Sequence, residues 1–156
     1  MQIRSELVEF LTSGVSLLVG TRDVRLVPAC LRAMGVAIAA DRTGLTVFVP
    51  KATGARTLAN LRDNGRIAVT FSRVIDLKGV QIKGKCIGMR DATEAEHALQ
   101  ARYLDAFCGA LEEIGMPRPV SARFAFWPSV AVEVRAESLF EQTPGPSAGR
   151  ALEGGA

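Results

Sequence analysis

With 156 residues, 48% of them hydrophobic, and a net charge of only +3, the chain suits one domain that buries roughly two thirds of its unfolded surface without covalent staples. Three widely spaced cysteines (Cys30, Cys86, Cys108), one histidine (His97) and 6% aromatic residues argue against a disulfide framework, a Cys/His metal centre and a nucleic-acid stacking surface. No apolar run reaches the ~20 residues that span a bilayer, and the opening residues lack a secretory pattern. The expectation is a cytoplasmic protein with free thiols.

In chain order, Ile3, Leu7, Phe10 and Leu11 recur at helical spacing, predicting a short amphipathic helix over residues 3–12, ended by Ser13 and Gly14. Residues 15–19 read as a buried strand. Arg22 and Asp23 sit at a turn into an extended run, residues 25–40, where Pro28 and Gly35 predict a bent or edge strand. Residues 41–44 form a hairpin connection to a third strand, 45–49. A helix is predicted from near Thr53, with Leu58 and Leu61 inward, Arg56 and Thr57 facing solvent, and a stop at Asn64-Gly65.

Two further strands follow, 66–72 and 79–88. In the second, Val80, Ile82, Gly84 and Cys86 share one face and Gln81, Lys83 and Lys85 the other. Thr93-Glu-Ala-Glu96 is a capping box opening a helix with the inward stripe Leu104, Phe107, Cys108, Leu111 and Ile114. A final strand or two lies within 121–140. The fold class is mainly β with flanking helices: an antiparallel barrel with helices at its ends and flank. Residues 1–146 form the domain, and the Pro-, Gly- and Ser-rich residues 147–156 are expected to be a flexible tail.

Charge concentrates in residues 51–85, where Lys51, Arg56, Arg62, Arg66, Arg73, Lys78, Lys83 and Lys85 face only Asp63 and Asp76, so this stretch carries +6 and the remainder −3. An anionic ligand is the natural inference. Its candidate donors are Lys51, Thr53, Arg56 and Thr57 around the helix start, where free amides and the positive helix end favour a phosphate. Gln81 and Lys83 can meet the edge of a heteroaromatic ring. Gly79 to Lys85 matches the spacing of a phosphate-binding Gly-x-x-x-x-Gly-Lys loop, but alternates like a strand and is followed by Cys86, so that reading is set aside. His97 has no partner cluster and reads as structural, and no catalytic residue can be named.

Taken together, residues 15–22, the helix Ala55-Arg-Thr-Leu-Ala-Asn-Leu61 with Arg62-Asp-Asn-Gly-Arg-Ile-Ala-Val69, residues 77–84 and the closing 140–146 resemble the pyridoxamine 5′-phosphate oxidase-like superfamily of split-barrel flavin-binding proteins. The resemblance implies a split antiparallel β-barrel and a homodimer with FMN in a groove between subunits. With it comes the expectation of an oxidoreductase acting on a small molecule; the short apolar runs and few aromatics already argue against membrane and nucleic acid as partners. Arg56 matches the basic position of the family's Ser-Arg-Lys element, whose serine is Ala55 and lysine Thr57 here, so that Lys51, Thr53 or Arg22 would substitute as phosphate donors. Gln81 stands two residues along from the family's flavin-contacting glutamine position, here Gly79. The arginine-bearing C-terminal arm of true pyridoxamine phosphate oxidases is missing, which turns the expectation away from that reaction. A deazaflavin is compatible with the same groove, and the alternative is a non-catalytic binder of haem or another cofactor.

Overall fold

The computed structural model describes residues 1–153. Helix α1 (Ser5–Thr12) precedes strands β1 (Ser16–Arg22), β2 (Pro28–Arg32), β3 (Val36–Ile38) and β4 (Gly44–Pro50); α2 (Ala55–Asn64) leads to β5 (Arg66–Ser72) and β6 (Gly79–Asp91). Helices α3 (Glu94–Glu113) and α4 (Arg118–Ser121) come before β7 (Ser129–Glu141) and β8 (Ala151–Leu152). The strands form one antiparallel sheet in the order β2-β1-β5-β6-β7-β4-β3, with β8 added on β7. Alternation explains which face is inside: Leu17 and Val19, Ile67, Val69 and Phe71, Val80 and Ile82, and Val132 and Val134 are buried together in one core. Leu7 and Leu11 of α1 and Leu104, Phe107 and Leu111 of α3 complete that core.

The extended run expected over 25–40 is two strands, and the joint between them closes the barrel. Gly35 adopts φ 118°, open only to glycine at little cost. On one side of the joint Ala33 N donates to Leu17 O of β1. On the other, Met34 N donates to Phe48 O and Phe48 N to Gly35 O, tying the chain to β4. One short segment thus supplies both ends of the sheet.

Two register shifts bend the long central pair. Between Lys83 and Gly84 the partner residue jumps from Ser138 to Ala136, leaving Glu137 as an extra residue on β7; between Cys86 and Gly88 the extra residue is Ile87, which is exposed.

Several local expectations need correction. Helix α2 starts at Ala55 with Gly54 as its N-cap and no side-chain cap, so Thr53 does not cap it. A Cβ on Gly54 would lie 2.4 Å from Val49 Cγ1 and 2.7 Å from Pro50 O, so the close approach of strand and helix selects glycine there. Thr57 is buried at 2% exposure, not solvent-facing, because α2 packs its Thr57, Leu58 and Leu61 side against the barrel. Ile114 is 50% exposed, since α3 ends at Glu113 before the inward stripe reaches it. The C-terminal segment is not all tail: Ala151 and Leu152 pair with Phe140 and Leu139 of β7, while residues 154–156 lie outside the described residues.

The capping box is formed as the sequence implies. Thr93 N donates to Glu96 Oε2 (2.8 Å), Glu96 N donates to Thr93 Oγ1 (3.4 Å), and Arg90 donates from Nη1 and Nη2 to the two Glu96 oxygens at 2.8 and 2.7 Å. The Arg90 hydrogen bonds above all, with those from Thr93, hold the Glu96 carboxyl at about 2, against its ordinary 4.5. A depressed carboxylate stabilises the fold above its unfolded pKa and loses that contribution as pH falls through the folded one. Glu96→Gln should therefore destabilise by about 1 to 2 kcal/mol at pH 7, a value trimmed by the solvent around Arg90. That deficit should shrink between pH 4.5 and about 2; chemical denaturation at several pH values measures it, and a pH-independent difference would contradict this account.

Candidate functional site

The side chains that leave the core point outward from β1, β2, β5, β6 and β7 and form an open groove of about 600 Å³. Its floor is a cross-strand row set by register: Cys30 beside Gly20, Gly20 beside Ala68, Ala68 beside Lys83 and Lys83 beside Ser138. Apart from Lys83 these side chains are small, so the sheet surface is shallow and flat where a planar group could rest. A Cβ on Gly20 would meet only Ala68 O at 3.9 Å.

One side of this row is basic, two residues along the strands from Gly20, Ala68 and Lys83. Arg22, Arg66 and Lys83 line the groove. Lys85 lies opposite Arg66 in the ladder and lines an adjoining hollow with Arg66 and Glu137. Like charges facing each other across a ladder are destabilising by themselves. Even so, none of these four cations makes an ion pair among the described residues. Lys83 Nζ sits 4.4 Å from the centre of the Phe140 ring, and Arg22 Nη1 donates to Asp23 O at 3.1 Å. The bulge at Glu137 adds one acid to this edge.

Arg22 is fixed by its surroundings. Asn64 Nδ2 donates to Arg22 O at 2.7 Å, and Asp63 accepts from Val24 N at 3.0 Å. Asp23 accepts from the amides of Val27 and Arg25, both at 2.9 Å. The Val27 amide above all, helped by the Arg25 amide and the charges of Arg25 and Arg56, holds the Asp23 carboxyl below the usual carboxylate range. The C-terminal end of α2 and a hydrogen-bonded turn thus tie down the backbone that follows this arginine.

The structure brings Arg22 and Lys83 together and separates the other expected donors. Lys51 Nζ is engaged with Asp91 Oδ1 at 2.7 Å. Arg56 is exposed on α2, and Thr57 is buried. Thr53 lines a different recess, with Arg32 and Phe124. Gln81 lies on the same outward face as Lys83, but its Nε2 donates to Thr70 Oγ1 at 2.8 Å. His97 does not line the groove; its ring packs 4.5 Å from Trp127 and 5.5 Å from Phe126. The sequence reading missed Arg66 and Lys85 as a pair, and Cys30 and Ser138 as floor. Pairing the 66–72 and 79–88 strands as a hairpin would have found Arg66 opposite Lys85; the floor depends on the partners of β1 and β7, which local patterning does not specify.

No family model and no curated protein matches the sequence. Solved structures do match. HupZ of Group A Streptococcus superposes with a TM-score of 0.58 at 18% identity, over 95% of this chain and 100% of that one. A candidate pyridoxamine 5′-phosphate oxidase from Lactobacillus delbrueckii gives 0.56 at 13% identity, over 89% and 93%. An F420 reductase gives 0.55 at 14% identity, over 84% and 93%. Likeness at this identity is a likeness of fold. The chain has the split β-barrel fold of the pyridoxamine 5′-phosphate oxidase-like superfamily.

Proposed function

We propose that this protein binds a phosphate-bearing flavin, FMN in the first instance, along the outer groove, and uses it in a redox reaction on a small molecule. The observation that carries this reading is a floor of small side chains flanked by four cations that make no ion pair among the described residues. The donor set suits a phosphate, and the small floor suits a planar ring. Arg22, Arg66, Lys83 and Lys85 would hold the phosphate; Gly20 and Ala68, on the Cys30 side of Lys83, would lie under the ring. The cofactor would supply the hydride chemistry, and the chain would bind it, orient it and keep one ring face from water. A deazaflavin suits the same floor, and titrating both cofactors separates the two.

The groove is open on its outer side. Leu18, Val24, Leu26 and Val27 are exposed beside it and in the adjoining turn, so a second copy covering this face would complete the site and bury them. That makes the homodimer part of the proposal.

The test is titration of FMN with purified protein, followed by quenching of flavin fluorescence. Saturable quenching is expected. The double variant Arg66→Gln, Lys83→Gln should bind about a hundredfold or more weakly, because it loses two charged hydrogen bonds, each worth about 1.5 to 3 kcal/mol. Riboflavin, lacking the phosphate, should bind wild-type protein with a similar loss. Absence of quenching by the wild-type chain would end the FMN reading.

A further inference from the structure

Arg32 closes β2 two residues beyond Cys30 and is half-buried. Its guanidinium lies over two aromatic rings, with Cζ 4.9 Å from the centre of Phe107 and 5.6 Å from that of Phe124, and Nη1 donates to Ser16 Oγ at 2.8 Å. The contrast with other fixed arginines is informative. Arg73 is held by Asp76, Arg90 by Glu96 and Arg118 by Asp105 and Glu112. Arg32, less exposed than these clamped surface groups are on the whole, is immobilised without a carboxylate among the described residues. Stacking on aromatic faces offsets part of the cost of an unneutralised, partly desolvated cation, and an anion would remove the rest.

The place for that anion is a recess of about 320 Å³ lined by Arg32 with Leu31, Met34, Thr53 and Phe124. Its free guanidinium nitrogens are not sealed away from solvent. Cys30 lines both this recess and the groove, so the two adjoin along β2. Their chemistries differ. The basic end of the groove gathers four cations, which suits a doubly charged phosphate. The recess offers one planar guanidinium, one threonine hydroxyl and otherwise apolar walls, which suits a singly charged carboxylate on an apolar body.

We infer that the Arg32 recess is the subsite for a carboxylate-bearing substrate with an apolar body, whose anionic end Arg32 holds while the remainder extends past Cys30 toward the groove floor. The substrate role rests on the flavin reading above; anion binding by the recess does not. The experiment uses benzoate as probe and benzamide as its uncharged counterpart, with the Arg32 Nε–H resonance of ¹⁵N-labelled protein as readout. Benzoate should shift that resonance saturably, and benzamide at equal concentration should leave it in place. Arg32→Gln should weaken benzoate binding at least tenfold, whereas Arg62→Gln on the exposed face of α2 should change it by less than twofold. The subsite is overturned if benzoate leaves the wild-type Arg32 signal unmoved, if benzamide moves it equally, or if inorganic phosphate displaces benzoate at lower concentration than benzoate itself needs. The wild-type resonance decides the matter even where Arg32→Gln fails to fold. FMN quenching without a benzoate response overturns the subsite and leaves the flavin reading standing; a benzoate response without FMN quenching supports the recess and overturns the FMN reading.

Discussion

Gly84→Ala should lower the stability of the fold by about 3 kcal/mol, the upper end for forcing one methyl group into a packed interior. The thermal midpoint of a chain this size would then fall by about 6 to 12 °C. The Cβ would stand 2.1 Å from Arg135 O and 3.1 Å from Arg135 C, both backbone atoms of β7. Neither strand can yield cheaply, because Gly84 is paired with Ile67 of β5 on one side and Ala136 of β7 on the other. The cause is the bulge: the extra residue Glu137 brings the β7 backbone against β6 at this point. Gly20→Ala is the matched control, since its new methyl group would meet only Ala68 O at 3.9 Å. Thermal melts by circular dichroism would measure both, and a Gly84→Ala protein within 1 °C of wild type would refute the steric account.

Ala68→Leu should abolish tight FMN binding, by about 100-fold or more, while changing stability by about 1 kcal/mol or less. The side chain points from the centre of the floor into open groove, between Gly20 and Lys83 in the register. Added carbons there meet no protein core, which keeps the folding effect in the range of ordinary surface changes. They would fill the space assigned to the ring, and a clash of about 3 kcal/mol corresponds to about 100-fold in affinity. Fluorescence titration beside a denaturation curve separates the two effects. Unaltered FMN affinity in a folded Ala68→Leu protein would remove the groove from the proposal.

Local rules carried much of the fold. Alternation put Val80, Ile82, Gly84 and Cys86 on one face, of which the first three are buried and Cys86 is half-buried; Thr93 and Glu96 formed their capping box; and Gly65, at φ 69°, ended α2 where Asn64-Gly65 predicted. The failures share one cause, contact with something distant in sequence. Thr53 has the better capping side chain, yet Val49 and Pro50 leave room only for Gly54 at the cap. Thr57 lies next to Leu58 on the packed side of α2, where Asn60 also donates to Thr21 Oγ1 at 3.1 Å. The excess charge of residues 51–85 was legible as a total, but its division was not. Asp91 takes Lys51 and Asp76 takes Arg73, while antiparallel pairing gathers Arg66, Lys83 and Lys85, and β1 brings Arg22 to them. Arg32 escaped the charge argument altogether, because it lies outside the basic stretch and its distinction comes from Phe107 and Phe124.

The joint at Ala33–Gly35 also bears on how the molecule meets others of its kind. Because one segment supplies both ends of the sheet, the rims left without a neighbouring strand among the described residues are the five residues of β2, the three of β3 and the two of β8. The first of these opens on Pro28, which has no amide proton to offer. Such rims are poor templates for an incoming β-strand, so the fold carries its own protection against runaway ladder growth and fibril formation. The dimer proposed above would accordingly form through side chains on a broad face, and the groove face displays the exposed Leu18.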